Sequence, residues 1–149
     1  NLRFIEQMPL DAGDAWTRKN LITADEIYKE LSSEFELTPI EDRGSSPAEE
    51  FLVNGGPATV GIIGSVTRPF CSACDRLRLT SDGQLRSCLF SNSETDLRSI
   101  LRNGRLAQSE KREDLVKAIR ETVRMKPPGH GINDPEFIKP NRPMSAIGG

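Results

Sequence analysis

The sequence predicts an α/β fold, on three observations. An opening strand runs through a polar loop into a capped helix, a glycine-interrupted apolar run reads as a further strand, and a cysteine-bearing hairpin precedes two amphipathic helices. Residues 2–8 alternate well enough for a buried or half-buried strand, and Pro9 ends it. Thr23 as N-cap with Glu26 at N3 is a capping box, so a helix should start there, with Ile27, Leu31 and Phe35 on its inner face. Residues 44–47 are turn-rich, and a boundary is expected near Gly55, Gly56 and Pro57. Residues 59–66 form a strand weakened by Gly61 and Gly64, which mark close approach of another chain segment or a ligand.

Residues 76–80 and 84–90 read as two strands around Ser81, Asp82 and Gly83. Ser93 should open a helix over 94–103, with Leu97, Ile100 and Leu101 as its apolar stripe and Gly104 after its end. A longer helix is expected over 109–125, burying Leu115, Ile119 and Val123, until Pro127 and Pro128 stop it. From His130 onward the chain is rich in Gly and Pro, a tail either disordered or tucked into a site. Asn1 is not an initiator Met and the chain opens inside a strand, so it is expected to be the C-terminal part of something larger.

Composition narrows the function. Hydrophobic residues make up 36% of 149, enough for a real core. A net charge of -2 provides no basic field for non-specific nucleic-acid binding, so any anion site must be local. No apolar run is long enough to span a membrane, and nothing resembles a signal peptide. The cysteine count of 3 is odd, and the three are clustered, which favours metal ligation in a reducing cytosol over a disulfide framework. A cytoplasmic location is expected.

Those cysteines are Cys71, Cys74 and Cys88, spaced C-x2-C-x13-C, with Arg76 and Arg78 just after the second. Three thiolates leave one metal position open, and arginine forks suit a carboxylate or phosphate coming to it. The hairpin register decides whether the sulfurs share a face. A two-residue Asp82-Gly83 turn would set Leu79 opposite Arg86. A three-residue loop with Gly83 left-handed sets Leu79 opposite Leu85 and Arg78 opposite Arg86, and puts Cys88 with Cys74 on the arginine face. The apolar pattern favours the second. Taken alone, Arg76, Arg78 and Arg86 would be the solvated side of a hairpin; the neighbouring cysteines argue for a site. Zinc and a [4Fe–4S] cluster both fit the spacing: zinc would need His130 as fourth ligand, whereas a cluster on three cysteines keeps one iron free. A nucleic-acid-binding hairpin ranks last, since only Phe70 and Phe90 lie near the arginines.

The run from Phe70 to Thr80, Asp82 and Gly83, and then Cys88, Leu89 and Phe90, resembles the C-terminal cluster motif of the GTP 3′,8-cyclase family, radical S-adenosylmethionine enzymes of molybdenum cofactor synthesis. Residues 2–6 with Met8, and the terminal Ile147, Gly148 and Gly149, are similar to that family too. The resemblance implies the last strand–helix portion of an incomplete (β/α)6 barrel over 1–56, and a small α+β cluster- and GTP-binding layer over 57–149. It implies one [4Fe–4S] cluster on Cys71, Cys74 and Cys88, with a second in the N-terminal half on a C-x3-C-x2-C loop that these residues lack. Arg76, Leu77, Arg78 and Arg3 match GTP-contacting positions. Met8 matches a residue near S-adenosylmethionine, and Gly148 and Gly149 match a catalytic tail that enters the active site. The implied reaction is radical: hydrogen is taken from ribose C3′ of GTP, and that carbon closes on guanine C8. GTP, S-adenosylmethionine, an electron donor, the missing half of the barrel and a second copy of the chain are the implied partners; membrane and nucleic acid are not. Asp75 departs from the Asn that many members carry, adding a negative charge beside the cluster without removing a ligand.

Overall fold

The computed structural model describes every residue except Ala12, Asp14, Gly148 and Gly149. It is a mixed α/β structure of two compact units, Asn1–Asp75 with Ile132–Pro135, and Arg76–Gly131 with Glu136–Gly149.

The described residues of the first unit include a four-stranded sheet and one α-helix. Its elements are β1 (Leu2–Ile5), α1 (Ala24–Glu34), β2 (Leu37–Pro39), β3 (Glu49–Val53) and β4 (Thr59–Ile63), in sheet order β1-β4-β3-β2. β1 runs parallel to β4, with Arg3 opposite Gly61, whereas β3 pairs antiparallel with both β4 and β2. Alternation sends Val60 and Ile62 into a core with Phe51 and Ala24, against which Phe4, Ile27, Tyr28 and Leu31 pack. The expected capping box is present: the Glu26 amide donates to Thr23 Oγ1 at 3.2 Å and the Thr23 amide to Glu26 Oε2 at 2.8 Å. Such a cap contributes about 1 kcal/mol.

Several expectations are corrected here. β1 stops at Ile5, three residues before Met8. Phe35 is the C-cap of α1 and 44% exposed, so the inner face ends at Leu31. β2 and β3 were not anticipated; they flank residues 44–47, which form the turn expected there. The Gly55 region is the hairpin between β3 and β4, with Asn54 and Gly55 both at positive φ and the Val53 amide bonded to the Ala58 carbonyl. The glycines of the β4 region do mark close approach, but to side chains: a Cβ on Gly61 would sit 3.2 Å from both Ala48 Cβ and Arg3 Cγ, and one on Gly64 2.8 Å from Arg68 Cβ.

Glu6, just past β1, is 1% exposed. Its carboxylate accepts from the amides of Ala24 (2.6 Å), Val66 (2.6 Å) and Thr67 (2.8 Å) and from the Thr67 hydroxyl. One buried acid thereby fixes the end of β1, the start of α1 and the segment leaving β4.

The second unit carries β5 (Arg78–Leu79), β6 (Gln84–Arg86) and β7 (Thr95–Asp96) as an antiparallel sheet, with α2 (Leu97–Arg102) and α3 (Gln108–Arg124). Leu85, Leu97 and Ala118 form its core, with Leu77, Ile100 and Leu115 around them. Ser93 does not open α2. Thr95 and Asp96 pair with β6, and Asp96 is the N-cap, accepting from the Ser99 amide. Along α3 the buried positions are Ala118 and Thr122, while Ile119 and Val123 are exposed, contrary to the pattern read from the sequence. Small residues on the inner face explain this: the Thr122 hydroxyl lies 2.8 Å from that of Thr95. In the tail, a short 3₁₀ turn at Met144–Ala146 precedes Ile147, which is fully buried. No described helix is long and apolar enough to cross a membrane.

Candidate functional site

The loop between β5 and β6 adopts the three-residue form. Gly83 has φ +84°, Arg78 stands opposite Arg86 and Leu79 opposite Leu85. Gly83 is required twice over, because its φ is left-handed and a Cβ there would meet Arg98 Cβ at 2.7 Å. The two strands are shorter than expected, so strict alternation does not extend to the cysteines. Cys71 and Cys74 instead belong to one 3₁₀ turn, Cys71–Ala73, in which the Cys74 amide bonds the Cys71 carbonyl at 3.1 Å. They lie in the first unit, and Cys88, beyond β6, lies in the second.

All three cysteines are half-buried thiols rather than disulfide sulfurs. The Phe90 amide donates to Cys88 Sγ at 3.5 Å. Soft thiolates in a C-x2-C turn, plus a third with an amide donor, suit iron–sulfur ligation as a donor set. Among the described residues no group of three or more His, Cys, Asp or Glu side chains is gathered to hold a metal ion. Cys88 and His130 line one cavity of about 260 Å³ in the second unit, and the His130 ring tilts against Phe90 at 4.9 Å between centroids.

The expected anion-binding residues have distinct settings. Arg76, Leu77 and Arg78 are half-buried, and Leu77 packs against the Leu85 core. Arg86 is not on a solvated face. It is 0% exposed, bonded to Glu94 at 2.8 Å and to the Ser91 carbonyl. Arg3 is exposed, on the strand face opposite Phe4, and pairs with Glu50 at 3.0 Å. Met8 is half-buried beyond β1. Gly148 and Gly149 lie outside the described residues.

Two features escaped sequence reasoning because their partners are distant in the chain. The Lys126 ammonium donates to the Arg76 carbonyl at 2.6 Å and the Ser87 carbonyl at 2.7 Å. Arg142, in the tail, forks onto Asp82 at 2.9 and 3.2 Å and onto Glu94 at 2.8 and 2.9 Å. Asp82 sits in the β5–β6 loop, so this pair pins the tail to the hairpin. The Arg142 hydrogen bonds, then that of Thr80, lower the Asp82 pKa to about 2. A depressed carboxylate stabilises the fold above its unfolded pKa of about 4 and loses that contribution as pH falls through the folded value. Asp82→Asn should therefore flatten the acid limb of a stability–pH profile between about pH 4 and 2. An unchanged limb would show that the pair does not hold in solution.

Residues 1–132 match the family described as Molybdenum Cofactor Synthesis C. The chain is 55% identical over 150 residues to a GTP 3′,8-cyclase of Streptomyces coelicolor. It is 57% identical over 153 residues to one of Mycolicibacterium smegmatis, and 53% over 154 to a GTP 3′,8-cyclase 2 of Mycobacterium tuberculosis. These alignments cover 99% of this chain and 42%, 41% and 41% of the relatives, so the chain spans about two fifths of their length.

Proposed function

Because the chain belongs to the Molybdenum Cofactor Synthesis C family, we propose that it is the C-terminal, cluster- and substrate-binding part of a GTP 3′,8-cyclase, acting at the first step of molybdenum cofactor synthesis. The observation that carries this reading is identity above 50% along the whole chain to relatives of that name. The succession of β1 and α1 is the strand–helix unit expected at the end of an incomplete (β/α)6 barrel, to which we assign residues 1–56. Residues 57–149 would then carry the cluster and nucleotide region. S-adenosylmethionine, an electron donor, the rest of the barrel and a second copy of the chain are the proposed partners, in the cytoplasm.

Cys71, Cys74 and Cys88 would hold a [4Fe–4S] cluster, and a second would lie outside this chain. The clusters and S-adenosylmethionine supply the radical chemistry when bound. The protein's own residues bind and orient. Arg76 and Arg78, with Leu77 between them, face their charge toward GTP, while Leu77 anchors that segment in the core. Arg3 adds a further cation toward the nucleotide, and Met8, past the end of β1, lies toward S-adenosylmethionine. Gly148 and Gly149 complete the active site from the tail, which Arg142 and the buried Ile147 hold in place.

Metal content tests the reading. In the full-length protein, reconstituted without oxygen, replacing Cys71, Cys74 and Cys88 together by Ser should remove roughly half of the iron, one cluster of two. Cys88 and His130 share a cavity, so a zinc-stabilised binding module is the competing outcome. About one zinc per wild-type chain, lost in the triple variant while its iron stays unchanged, would establish that instead.

A further inference from the structure

The ladder between β5 and β6 is only two residue pairs long, Arg78–Arg86 and Leu79–Leu85. Before Arg78 and after Arg86 no strand pairing joins the two arms, yet these arms carry Arg76 on one side and Cys88 on the other. Two-residue ladders fray readily. Lys126 bridges the arms beyond the ladder, its ammonium 2.6 Å from the Arg76 carbonyl and 2.7 Å from the Ser87 carbonyl.

The origin of that ammonium is rigid. Lys126 follows Met125, the C-cap of α3; its amide bonds the Val123 carbonyl at 3.1 Å, and Pro127 and Pro128 come next. α3 is itself packed into the second core through Leu115 and Ala118. A compact cation with three donors can satisfy two converging carbonyls at once. Lys126 is half-buried, and hydrogen bonds from a charged donor in such a setting are among the stronger ones.

We propose that Lys126 is a positioning residue: it clips the two arms of the hairpin at Arg76 and Ser87, and so sets where the Arg76 side chain and the Cys88 thiol project. It would touch neither GTP nor cluster. The consequence for GTP rests on the function proposed above; the clip itself does not.

The test uses the full-length protein with Lys126→Met, which keeps the stem and removes the donors, and Lys126→Arg, which keeps them. Thr122→Val is the control for α3 itself, because it removes a buried bond to Thr95 that engages neither the Arg76 nor the Ser87 carbonyl. Loss of charged hydrogen bonds worth about 1.5–3 kcal/mol predicts hydrogen exchange about tenfold faster or more over the clipped ladder, residues 78–80 and 84–86, in Lys126→Met. Lys126→Arg should restore most of the protection, and Thr122→Val should leave those amides alone. GTP affinity should fall about tenfold in Lys126→Met at wild-type iron content and recover in Lys126→Arg. Unchanged exchange in Lys126→Met, or equal acceleration in Thr122→Val, would overturn the clip. Faster exchange with unchanged GTP affinity would overturn the positioning role. A wild-type protein that takes up no GTP would overturn the function proposed above and leave the exchange result to judge the clip.

Discussion

Glu6→Ala should lower the unfolding free energy by about 3–5 kcal/mol, measured by chemical denaturation. The carboxylate takes four donors, and three of them are backbone amides that cannot turn to another partner. Each buried donor left orphaned costs about 1–3 kcal/mol. Glu6→Gln should cost less. One oxygen is kept for two donors, while the new amino group faces N–H groups and repels them. The damage should centre on the segment 64–67 and the first turn of α1, both of which the acid ties to the end of β1. A loss below about 1 kcal/mol for the alanine variant would mean that water replaces the carboxylate, and that the segment is not held as described.

Arg78→Ala should weaken GTP binding in the full-length protein about 10- to 100-fold with iron content retained, and Arg76→Ala should do the same. Each guanidinium presents a planar fork to oxygen pairs, worth more than a point charge. Arg78→Lys should accordingly recover only part of the loss. Retained iron separates this role from that of the cysteines. GTP affinity at the wild-type level in both alanine variants would move the anion site elsewhere. Arg86 provides the contrast: it faces Arg78 across the ladder but is spent internally on Glu94 and Ser91. Its replacement should destabilise the hairpin rather than act on GTP alone.

These arginines show how far a sequence can be read. The register that pairs Arg78 with Arg86 was legible, because Leu79 and Leu85 must share an apolar face and Gly83 admits the left-handed turn. The fate of Arg86 was not. Its partners lie five and eight residues on, Ser91 between the expected strand and helix and Glu94 at the start of that expected helix. The capping box at Thr23 was legible because its signal is local and chemical. β2 and β3 were not, since Pro39, Glu49 and Glu50 mask a short strand pattern whose single fully inward residue is Phe51. On α3 the larger apolar residues drew attention to Ile119 and Val123, whereas the sheet approaches closely enough to select Ala118 and Thr122.

By itself, then, the chain's order of residues determined the motif: three thiols with their spacing, the arginines beside them, and the turn that pairs the hairpin. Such features depend on neighbours within a few positions, where covalent geometry leaves few choices. Only the tertiary structure decided which charges are consumed by the fold. Glu6, Arg86, Lys126 and Arg142 find donors or acceptors up to 61 residues away. A buried charge must be partnered wherever the packed chain brings a complement, and nothing in the local pattern reveals where that is.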